Sequence, residues 1–182
     1  MSSYVLISDT HDNLDALGKF IKCLKHEHNV EGVIHLGDIT SPFTLKAIKD
    51  HINIIVVVLG NNDADKLLLS SIHRNIYDHP IEYTLDGLKL LLMHGFGSKD
   101  FTLKFVRALA RGSDYDIIAY GHTHEHLIEK LGKTLILNPG ALSGYLSNDM
   151  TYALLNMKEG YVSINSIRDC RSILTIKMFR SY

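Results

Sequence analysis

The sequence predicts an α/β fold in which two β-sheets pack face to face and helices cover their outer sides. Three observations support this fold class. Five short apolar runs rich in Ile and Val are each closed by Gly or polar residues, which is the pattern of buried strands. Segments with helical spacing of their apolar residues lie between these runs, so strands and helices alternate. After Gly121 the pattern changes to closely spaced strands that short turns connect.

Each predicted element follows from its local pattern. The five apolar runs place strands at 4–7, 33–36, 54–59, 88–93 and 117–120. A helix is predicted over 14–24, and shorter helices near 45–48, 67–72 and 101–110. Further strands are predicted at 127–131, 134–137, 152–157, 161–167 and 173–178, with hairpin turns at Gly132-Lys133 and Glu159-Gly160. No linker or repeat divides the chain, so residues 1–182 are expected to form one domain whose second half is a β-meander.

Composition and charge exclude several classes of protein. The 182-residue chain has 19 Lys and Arg against 20 Asp and Glu, and its formal net charge is −1. Proteins that bind nucleic-acid backbones or anionic membranes need clustered positive charge, so neither a stable nucleic-acid complex nor membrane binding is expected. The most apolar stretch, 54–59, is far shorter than the ~20 residues of a membrane-spanning helix.

The two cysteines suggest neither a disulfide framework nor a thiolate zinc site. Cys23 and Cys170 lie far apart in the sequence and form no CxxC pair. The N-terminus lacks the basic start of a secretory signal and reaches Asp9 after a very short apolar run. A cytoplasmic location is therefore expected.

Side chains that can bind metals follow each of the five apolar runs. In chain order these are Asp9-Thr10-His11, Gly37-Asp38, Gly60-Asn61-Asn62-Asp63, His94-Gly95 and Gly121-His122-Thr123-His124. Ligands of α/β sheets bind at the carboxyl ends of strands, so these residues are expected to converge at one rim. A single such motif is more often a turn or a helix cap, but five in one chain favour a binding site. The adjacent glycines are expected to allow sharp turns and the approach of a large ligand.

The chemistry of these donors favours a centre with two metal ions. Seven side chains provide carboxylate, imidazole and amide donors: Asp9, His11, Asp38, Asn61, His94, His122 and His124. Such mixed sets suit Mn²⁺, Fe, Ni²⁺, Co²⁺ or Zn²⁺. Seven donors are too many for one tetrahedral ion, whereas two ions about 3.5–4 Å apart that share a carboxylate leave positions for water and substrate. This arrangement is typical of a hydrolase.

The ordered motifs from Ser8 to His124 resemble the calcineurin-like metallophosphoesterase signature. The resemblance implies a four-layer sandwich of two mixed sheets flanked by helices, in the small single-domain branch of that family. It also implies two divalent ions, most often manganese, and hydrolysis of phosphate esters, commonly diesters, by in-line attack of a hydroxide that bridges the ions. By this resemblance one ion would be held by Asp9, His11 and His124 and the other by Asn61, His94 and His122, with Asp38 as the catalytic bridge.

The sequence departs from the family pattern at Asn62. Many members have His at this position, where it stabilises the transition state or protonates the leaving oxygen, and an amide cannot deliver a proton. General-acid catalysis contributes roughly 10²–10⁴-fold, so Asn62, as a catalytic residue, predicts a preference for esters with acidic, aryl-like leaving groups. His126 is a candidate for the missing acid, although a solvated or packed imidazole is the more common role.

Other residues near the motifs have expected roles. Asp63 and Asp65 could cap the next helix or hydrogen-bond Asn62 and a metal ligand, and the cap is the more common role. His35, inside a strand, is expected to be packed and hydrogen-bonded. Phe96 is expected to narrow the substrate cleft. The Asn138-Pro139-Gly140 segment resembles a family loop that faces the site, although Ala141 stands where that branch often has Ser.

Other functions remain to be weighed against a small phosphate ester as substrate. A protein-binding scaffold could keep the fold and lose catalysis, as the family's retromer subunit does, but it would have no chemical need for seven ligands. A metallo-β-lactamase-like hydrolase would need a compact HxHxDH cluster, which the sequence lacks. The strand edges of the predicted meander are compatible with a homodimer.

Overall fold

The computed structural model describes residues 2–178, in which four helices and twelve strands are assigned. The helices are α1 (Leu14–Leu24), α2 (Pro42–Lys49), α3 (Lys66–Ile72) and α4 (Lys99–Gly112). The strands are β1 (Ser3–Ile7), β2 (Val30–His35), β3 (Ile54–Leu59), β4 (Ile76–Asp78), β5 (Ile81–Leu85), β6 (Leu88–Leu92), β7 (Ile117–Ala119), β8 (Leu127–Leu131), β9 (Thr134–Asn138), β10 (Thr151–Asn156), β11 (Tyr161–Ser166) and β12 (Ser172–Lys177).

The strands form two mixed sheets. The seven-stranded sheet has the order β12-β11-β10-β1-β2-β3-β4, and the five-stranded sheet has the order β5-β6-β7-β9-β8. Strands β1, β2 and β3 are parallel neighbours in the first sheet, as β6 and β7 are in the second. Parallel neighbours end at the same edge of a sheet, so the carboxyl ends that carry the predicted ligands are grouped within each sheet.

Alternation of side chains along the strands produces four layers. Tyr4 and Leu6 of β1 belong to the core between the two sheets, whereas Val5 and Ile7 face the opposite side and pack with α1, α2 and α3. Helix α4 covers the outer face of the second sheet through a cluster that includes Val106. Both sheets are therefore buried on both faces over much of their area, which explains why their strands read as continuous apolar runs.

Local capping explains where three helices begin. The side chain of Asn13 accepts a hydrogen bond from the backbone N–H of Ala16 at the start of α1, and Ser98 caps α4 in the same way. Asp65 accepts from the backbone N–H of Leu68, which confirms its predicted role as the cap of α3. Helix α1 thus begins directly after the Asp9-Thr10-His11 segment.

The second half of the chain does not form a separate meander. Strands β8 and β9 join the sheet of β6 and β7, while β10 to β12 extend the sheet of β1. The predicted division into two halves is therefore wrong, because β9 pairs in parallel with β7 and β10 pairs with β1. The short strands β4 and β5 were also missed, since exposed residues interrupt their apolar pattern and both lie at sheet edges.

A disulfide joins Cys23 to Cys170, with their Cα atoms 5.2 Å apart. The expectation that the two cysteines do not pair is wrong, because α1 packs on the seven-stranded sheet and brings Cys23 against the turn between β11 and β12. Separation along the chain, 147 residues here, does not report this proximity. The cysteine-based reason for expecting a cytoplasmic location is thereby lost. Within residues 2–178, none of the helices combines the length and the apolar character needed to cross a membrane.

Candidate metal centre

The predicted ligands come from the carboxyl ends of strands in both sheets. Asp9, Asp38 and Asn61 follow β1, β2 and β3 of the seven-stranded sheet. The imidazoles of His94, His122 and His124 follow β6 and β7 of the five-stranded sheet. His11 lies two residues beyond Asp9, ahead of α1. The contacts described below show that the two groups meet across the gap between the sheets.

One group of ligand atoms consists of Asp9, His11 and His124, whose donor atoms lie within 4.8 Å of one another. Oδ1 of Asp9 is 3.3 Å from Nε2 of His124 and 3.8 Å from Nε2 of His11. The two imidazole Nε2 atoms are 3.4 Å apart. Nδ1 of His124 lies 2.5 Å from the carbonyl oxygen of Tyr145, which orients the ring with Nε2 toward the carboxylate.

A second group consists of Asp9, Asp38 and His94. Nε2 of His94 is 3.3 Å from Oδ2 of Asp38, and the opposite nitrogen of the ring is 2.7 Å from the carbonyl oxygen of Leu36. Oδ2 of Asp38 is also 3.7 Å from Nε2 of His11. The Asp38 carboxylate therefore lies between an imidazole of the first group and an imidazole of the second.

Asn61 and His122 lie beside the second group. Nδ1 of His122 is 3.0 Å from Oδ1 of Asn61, and Nε2 is 2.8 Å from the carbonyl oxygen of Gly97. A neutral imidazole has one N–H and cannot donate to two oxygens. If Nε2 donates to Gly97, the lone pair of Nδ1 faces the amide oxygen, which is the arrangement expected of two ligands that share a cation.

Two buried atoms of the cluster lack a hydrogen-bond partner. They are Oδ1 of Asp9 and Nε2 of His94, both in side chains that are fully buried. An unpaired buried polar atom costs roughly 1–3 kcal/mol, so such atoms are rare unless something satisfies them. Oxygen and imidazole donors that converge without partners are the donor set that divalent transition metals prefer. The residues present therefore fit a metal centre.

The backbone of the ligands is unusual. Five of the seven predicted ligands have positive φ: Asp9 at 53°, His11 at 41°, Asp38 at 57°, His122 at 67° and His124 at 60°. Residues other than Gly rarely adopt this left-handed region, and each instance costs on the order of 1–3 kcal/mol. Such strain is concentrated at functional sites, where the surrounding structure fixes side chains in directions that relaxed strands would not allow.

The glycines at the site make room for protein groups and not only for a ligand, which corrects one expectation. A Cβ atom on Gly37, whose φ is +96°, would lie 2.6 Å from Nδ1 of His94. A Cβ atom on Gly60 would overlap Oδ1 of Asp38. These two glycines therefore allow the ligand-bearing segments to approach one another.

Hydrogen bonds and charges set the protonation of the ligands. Burial would raise the pKa of Asp38, but the adjacent His94 ring and the hydrogen bonds from Asn62 outweigh burial and lower it. Burial would lower the pKa of His94, whereas its contact with the Asp38 carboxylate and the charge of Asp9 raise it. The adjacent Asp9 carboxylate raises the pKa of His124 against the effect of burial. The neighbouring carboxylates thus favour the protonated form of these imidazoles, and a metal ion would compete with those protons.

His35 is buried and hydrogen-bonded, as expected, and it connects the loop after β1 to the loop after β2. Burial lowers the pKa of His35 to about 3, so its ring is neutral. Its Nδ1 accepts from the backbone N–H of Gly37 at 3.1 Å, which leaves the proton on Nε2. Nε2 lies 3.1 Å from Oγ1 of Thr10, and that hydroxyl donates to the carbonyl of Asp38 at 3.4 Å. His35 thus ties the segments that carry Asp9 and Asp38.

Asp63 supports the same region and does not cap α3, so its expected role as a cap is wrong. Its buried carboxylate accepts from the backbone N–H groups of Asp38 at 2.9 Å, Gly60 at 2.7 Å and Thr40 at 2.7 Å. These bonds join the loop after β2 to the loop after β3. The sequence offered a signal only in the position of an acidic residue directly after Asn61-Asn62.

The structure also places the remaining residues of interest. Nδ2 of Asn62 donates to Oδ2 of Asp38 at 2.7 Å, and its backbone N–H donates to Oδ1 at 2.8 Å. Nδ1 of His126 lies 3.9 Å from the carboxylate of Asp149, in a different pocket from the ligands. Asn138 is buried behind the ligand loop, where its amide donates to Thr123 and to the carbonyl of Gly121, and so it does not face the site.

An open cleft of about 630 Å³ gives access to the ligands. Its lining includes Asp38, Asn62, Lys99 and Tyr145 together with four of the other predicted ligands. Lys99 brings a positive charge to this cleft, although it is paired with Glu125 at 2.8 Å. Phe96 does not line this cleft and therefore does not narrow it; it lines a smaller neighbouring pocket. The cleft can admit a small anionic group beside the cluster.

Comparisons with known proteins agree with this geometry. The model of the calcineurin-like phosphoesterase superfamily domain matches residues 3–160. The chain is 34% identical over 159 residues to Phosphodiesterase MJ0936 of Methanocaldococcus jannaschii, covering 85% of this chain and 92% of that protein.

Two solved structures have the same architecture. One is described as a novel archaeal phosphodiesterase; it has 30% sequence identity and a TM-score of 0.77, over 90% of this chain and 99% of that one. The other is Yfce, a phosphoesterase from E. coli, with 20% identity and a TM-score of 0.74 over 97% of this chain and 100% of that one, a likeness that concerns the fold alone. The predicted fold class of two mixed sheets with flanking helices is confirmed.

Proposed function

The chain belongs to the calcineurin-like phosphoesterase superfamily, and from that premise we propose that it is a metal-dependent phosphodiesterase that hydrolyses small phosphate esters at a dinuclear centre. One observation carries this proposal. The Asp38 carboxylate lies between imidazoles of two ligand groups, 3.7 Å from His11 and 3.3 Å from His94. A carboxylate in this position can be shared by two ions, which is the arrangement of many phosphate-ester hydrolases.

The proposed ligand assignment extends the two groups, in which Asp9 is the common member. Asp9, His11 and His124 would hold one ion, Asn61, His94 and His122 would hold the other, and Asp38 would be shared. Oδ1 of Asp9 and Nε2 of His94, which lack hydrogen-bond partners, support this assignment because an ion beside each would satisfy both. When bound, the ions would lower the pKa of water and offset negative charge on the phosphoryl oxygens.

The protein's own residues position and select the substrate. His35 and Asp63 hold the backbone of the Asp38 loop, and Asn62 fixes both oxygens of that carboxylate. Preorganisation of this kind matters because electrostatic stabilisation costs no rearrangement when the reaction occurs. Lys99 lines the cleft and offers a positive charge to an anionic ester.

A diester is the proposed substrate class. The relatives at 30–34% identity are described as phosphodiesterases, and the chain covers most of their length. Asn62 offers no acidic proton, so leaving groups that depart as stable anions, such as aryl oxides, are favoured over alkyl alcohols. We assign Asp38 and Asn62 to catalysis on these grounds.

The decisive experiment combines metal loading with turnover. Protein freed of metal with a chelator is reloaded with Mn²⁺, its metal content is measured, and hydrolysis of bis(p-nitrophenyl) phosphate is followed. Binding of two ions per chain with turnover supports the proposal. Loading without any turnover would favour a protein-binding scaffold, and failure to load would remove the basis for both ion sites. Parallel loading with Ni²⁺, Fe²⁺, Co²⁺ and Zn²⁺ tests our choice of manganese.

A homodimer is also proposed, through β12 at the edge of the seven-stranded sheet. All but one of its residues are exposed, including Ile173 and Leu174, and such an edge can pair with a second copy. Sedimentation analysis of wild type and Ile173→Lys tests this arrangement. A wild-type monomer would exclude it.

A further inference from the structure

A second pocket adjoins the metal centre. It has a volume of about 330 Å³ and shares two residues with the main cleft, Asn61 and His122. Phe96 and His79 contribute aromatic rings to its lining, and Lys66 and Asp78 contribute polar groups. Pockets that hold small ligands span roughly 300–1,000 Å³, so this one can take a single ring.

The aromatic part of the pocket is made by two rings. The rings of Phe96 and His79 are nearly parallel, with an interplanar angle of 13° and centroids 6.2 Å apart. Phe96 remains 36% exposed, although burying a Phe side chain away from water is favourable. An aromatic ring that stays accessible in a pocket beside the proposed metal centre can stack a planar group.

The position of Phe96 is fixed from two sides. Oγ1 of the buried Thr102 accepts from the backbone N–H of Phe96 at 3.1 Å and donates to its carbonyl at 2.7 Å. The ring packs edge-on against Phe105, with ring centroids 5.0 Å apart, and at a tilt of 52° against Phe101, with centroids 5.8 Å apart. A ring held by such contacts loses little conformational entropy when a ligand stacks on it.

The pocket is continuous with the metal ligands through one short segment. The carbonyl of Gly97, the residue after Phe96, lies 2.8 Å from Nε2 of His122. A Cβ atom on Gly95, the residue before Phe96, would lie 3.0 Å from Cβ of His122. The aromatic ring and a proposed metal ligand are therefore held at a fixed separation.

From these contacts we propose that the Phe96 pocket is a subsite for a planar aromatic group carried by the phosphate ester. The proposal rests on the phosphodiesterase function proposed above. A phosphoryl group beside Asn61 and His122 would direct one of its ester substituents into this pocket. The ion pair between Lys66 and Asp78, 2.5 Å apart, gives the far part of the pocket a polar edge. A heteroaromatic ring such as a nucleobase can use that edge as well as the aromatic face.

Binding measurements test the subsite without relying on turnover. Calorimetry on Mn²⁺-loaded protein measures the affinities for phenylphosphonate and methylphosphonate. The two ligands share the phosphonate group, and the first carries a phenyl ring where the second carries a methyl group. Wild type is expected to bind phenylphosphonate about tenfold more tightly. Phe96→Ala should abolish that ratio while leaving the affinity for methylphosphonate unchanged. Phe96→Leu, which keeps apolar volume without a flat face, should lose most of it. Phe43→Ala removes an exposed ring that neither lines the pocket nor contacts Phe96, and it should retain the preference.

The outcomes separate the subsite from the function on which it rests. An unchanged ratio in Phe96→Ala, or no ring preference in wild type that hydrolyses diesters, overturns the subsite alone. Failure of wild type to bind either phosphonate overturns the subsite together with the phosphate site. A matching comparison of adenosine 5′-monophosphate with ribose 5-phosphate identifies the source of the ring. A base preference that depends on Phe96 supports a nucleotide ester, and a preference confined to phenylphosphonate supports a simple aryl ester.

Discussion

Asn62 donates two hydrogen bonds to the carboxylate of Asp38, one from its side chain at 2.7 Å and one from its backbone at 2.8 Å. The side-chain amide is therefore engaged with the proposed bridging ligand and is not a free donor. Its orientation of Asp38 explains how an amide can serve at a position where many family members have His. It also means that a substitution at Asn62 affects the carboxylate as well as the leaving group.

Asn62→His is expected to broaden the range of leaving groups. Wild type should cleave p-nitrophenyl esters at least about 10²-fold faster than alkyl diesters, because no acid assists departure of an alkoxide. The His variant should reduce this ratio about tenfold or more, measured as kcat/KM for both substrates with Mn²⁺. Equal rates for wild type on aryl and alkyl esters would show that another acid is present.

Removal of one predicted ligand should weaken both metal loading and activity. His124→Ala is expected to lower kcat by roughly 10³-fold, equivalent to about 4 kcal/mol, and to reduce the rise in Tm that Mn²⁺ causes. His126→Ala is the matched control, since that ring lies beside Asp149 and not in the cluster. Similar losses in the two variants would contradict the ligand assignment.

Asp63→Asn is expected to destabilise the protein by about 3 kcal/mol. An amide offers one acceptor oxygen, and its NH₂ group would face a backbone donor that now meets a carboxylate. Mn²⁺ affinity should fall about 10- to 100-fold because the Asp38 loop loses its support. Asp65→Asn is the control and should be nearly neutral, since Asn caps a helix as well as Asp does. Urea unfolding and Mn²⁺ titration measure both effects.

His35 predicts a specific loss of stability in acid. The unfolded chain gains a proton near the ordinary pKa of 6.5, whereas the buried ring of the folded protein does so only at about 3. His35 therefore does not lower the free energy of unfolding above pH 6.5. As the pH falls from 6.5 toward about 3, the unfolded chain binds the proton first, and the free energy of unfolding decreases. One proton corresponds to about 1.4 kcal/mol per pH unit.

Comparison with a variant isolates this contribution. His35→Gln keeps a donor for Thr10 and removes the titrating ring, so its free energy of unfolding should depend less steeply on pH between 6.5 and about 3. His28→Gln, at an exposed position, controls for the loss of a histidine. Parallel pH dependences for wild type and His35→Gln would refute the assignment.

Replacement of both cysteines by serine is expected to lower the free energy of unfolding by about 2–4 kcal/mol. The disulfide closes a segment of 147 residues, and the unfolded chain without it gains conformational entropy. Mn²⁺ affinity should stay within about twofold, because Cys23 lies near the end of α1, roughly 14 Å of helix away from the loop that carries His11. A large loss of affinity would mean that the cross-link also positions the ligands.

The sequence predicted those features that depend on local pattern. Continuous Ile and Val runs identified the buried strands, and α1 was predicted with the bounds that the structure shows. Residues that follow parallel strands were predicted to lie together, because such strands end at a common edge, and the structure groups them in this way within each sheet. The structure brings those seven residues within reach of one another, although their assignment to ions stays a prediction.

Features that depend on contacts between distant segments were not predictable. The proximity of Cys23 to Cys170 and the three backbone donors that surround Asp63 arise only after the sheet has formed. Strand β5 is half exposed at an edge, so its Glu and Thr residues interrupt the apolar pattern. The left-handed backbone at Asp9 and Asp38 has no signature in the sequence, since Asp is an unremarkable residue at the end of a strand.

Because each sheet contributes part of the predicted ligand set, the thickness of the apolar interior is expected to affect the spacing between those ligands. Leu6 and Leu92 fill the space between the sheets, so we expect their volume to influence the distance between Asp9 and His94. Trimming one of them would let the two halves of the centre drift by a fraction of an ångström. Rate changes from such remote sites would then reflect altered spacing of the catalytic groups, even where the chemistry of those groups is untouched.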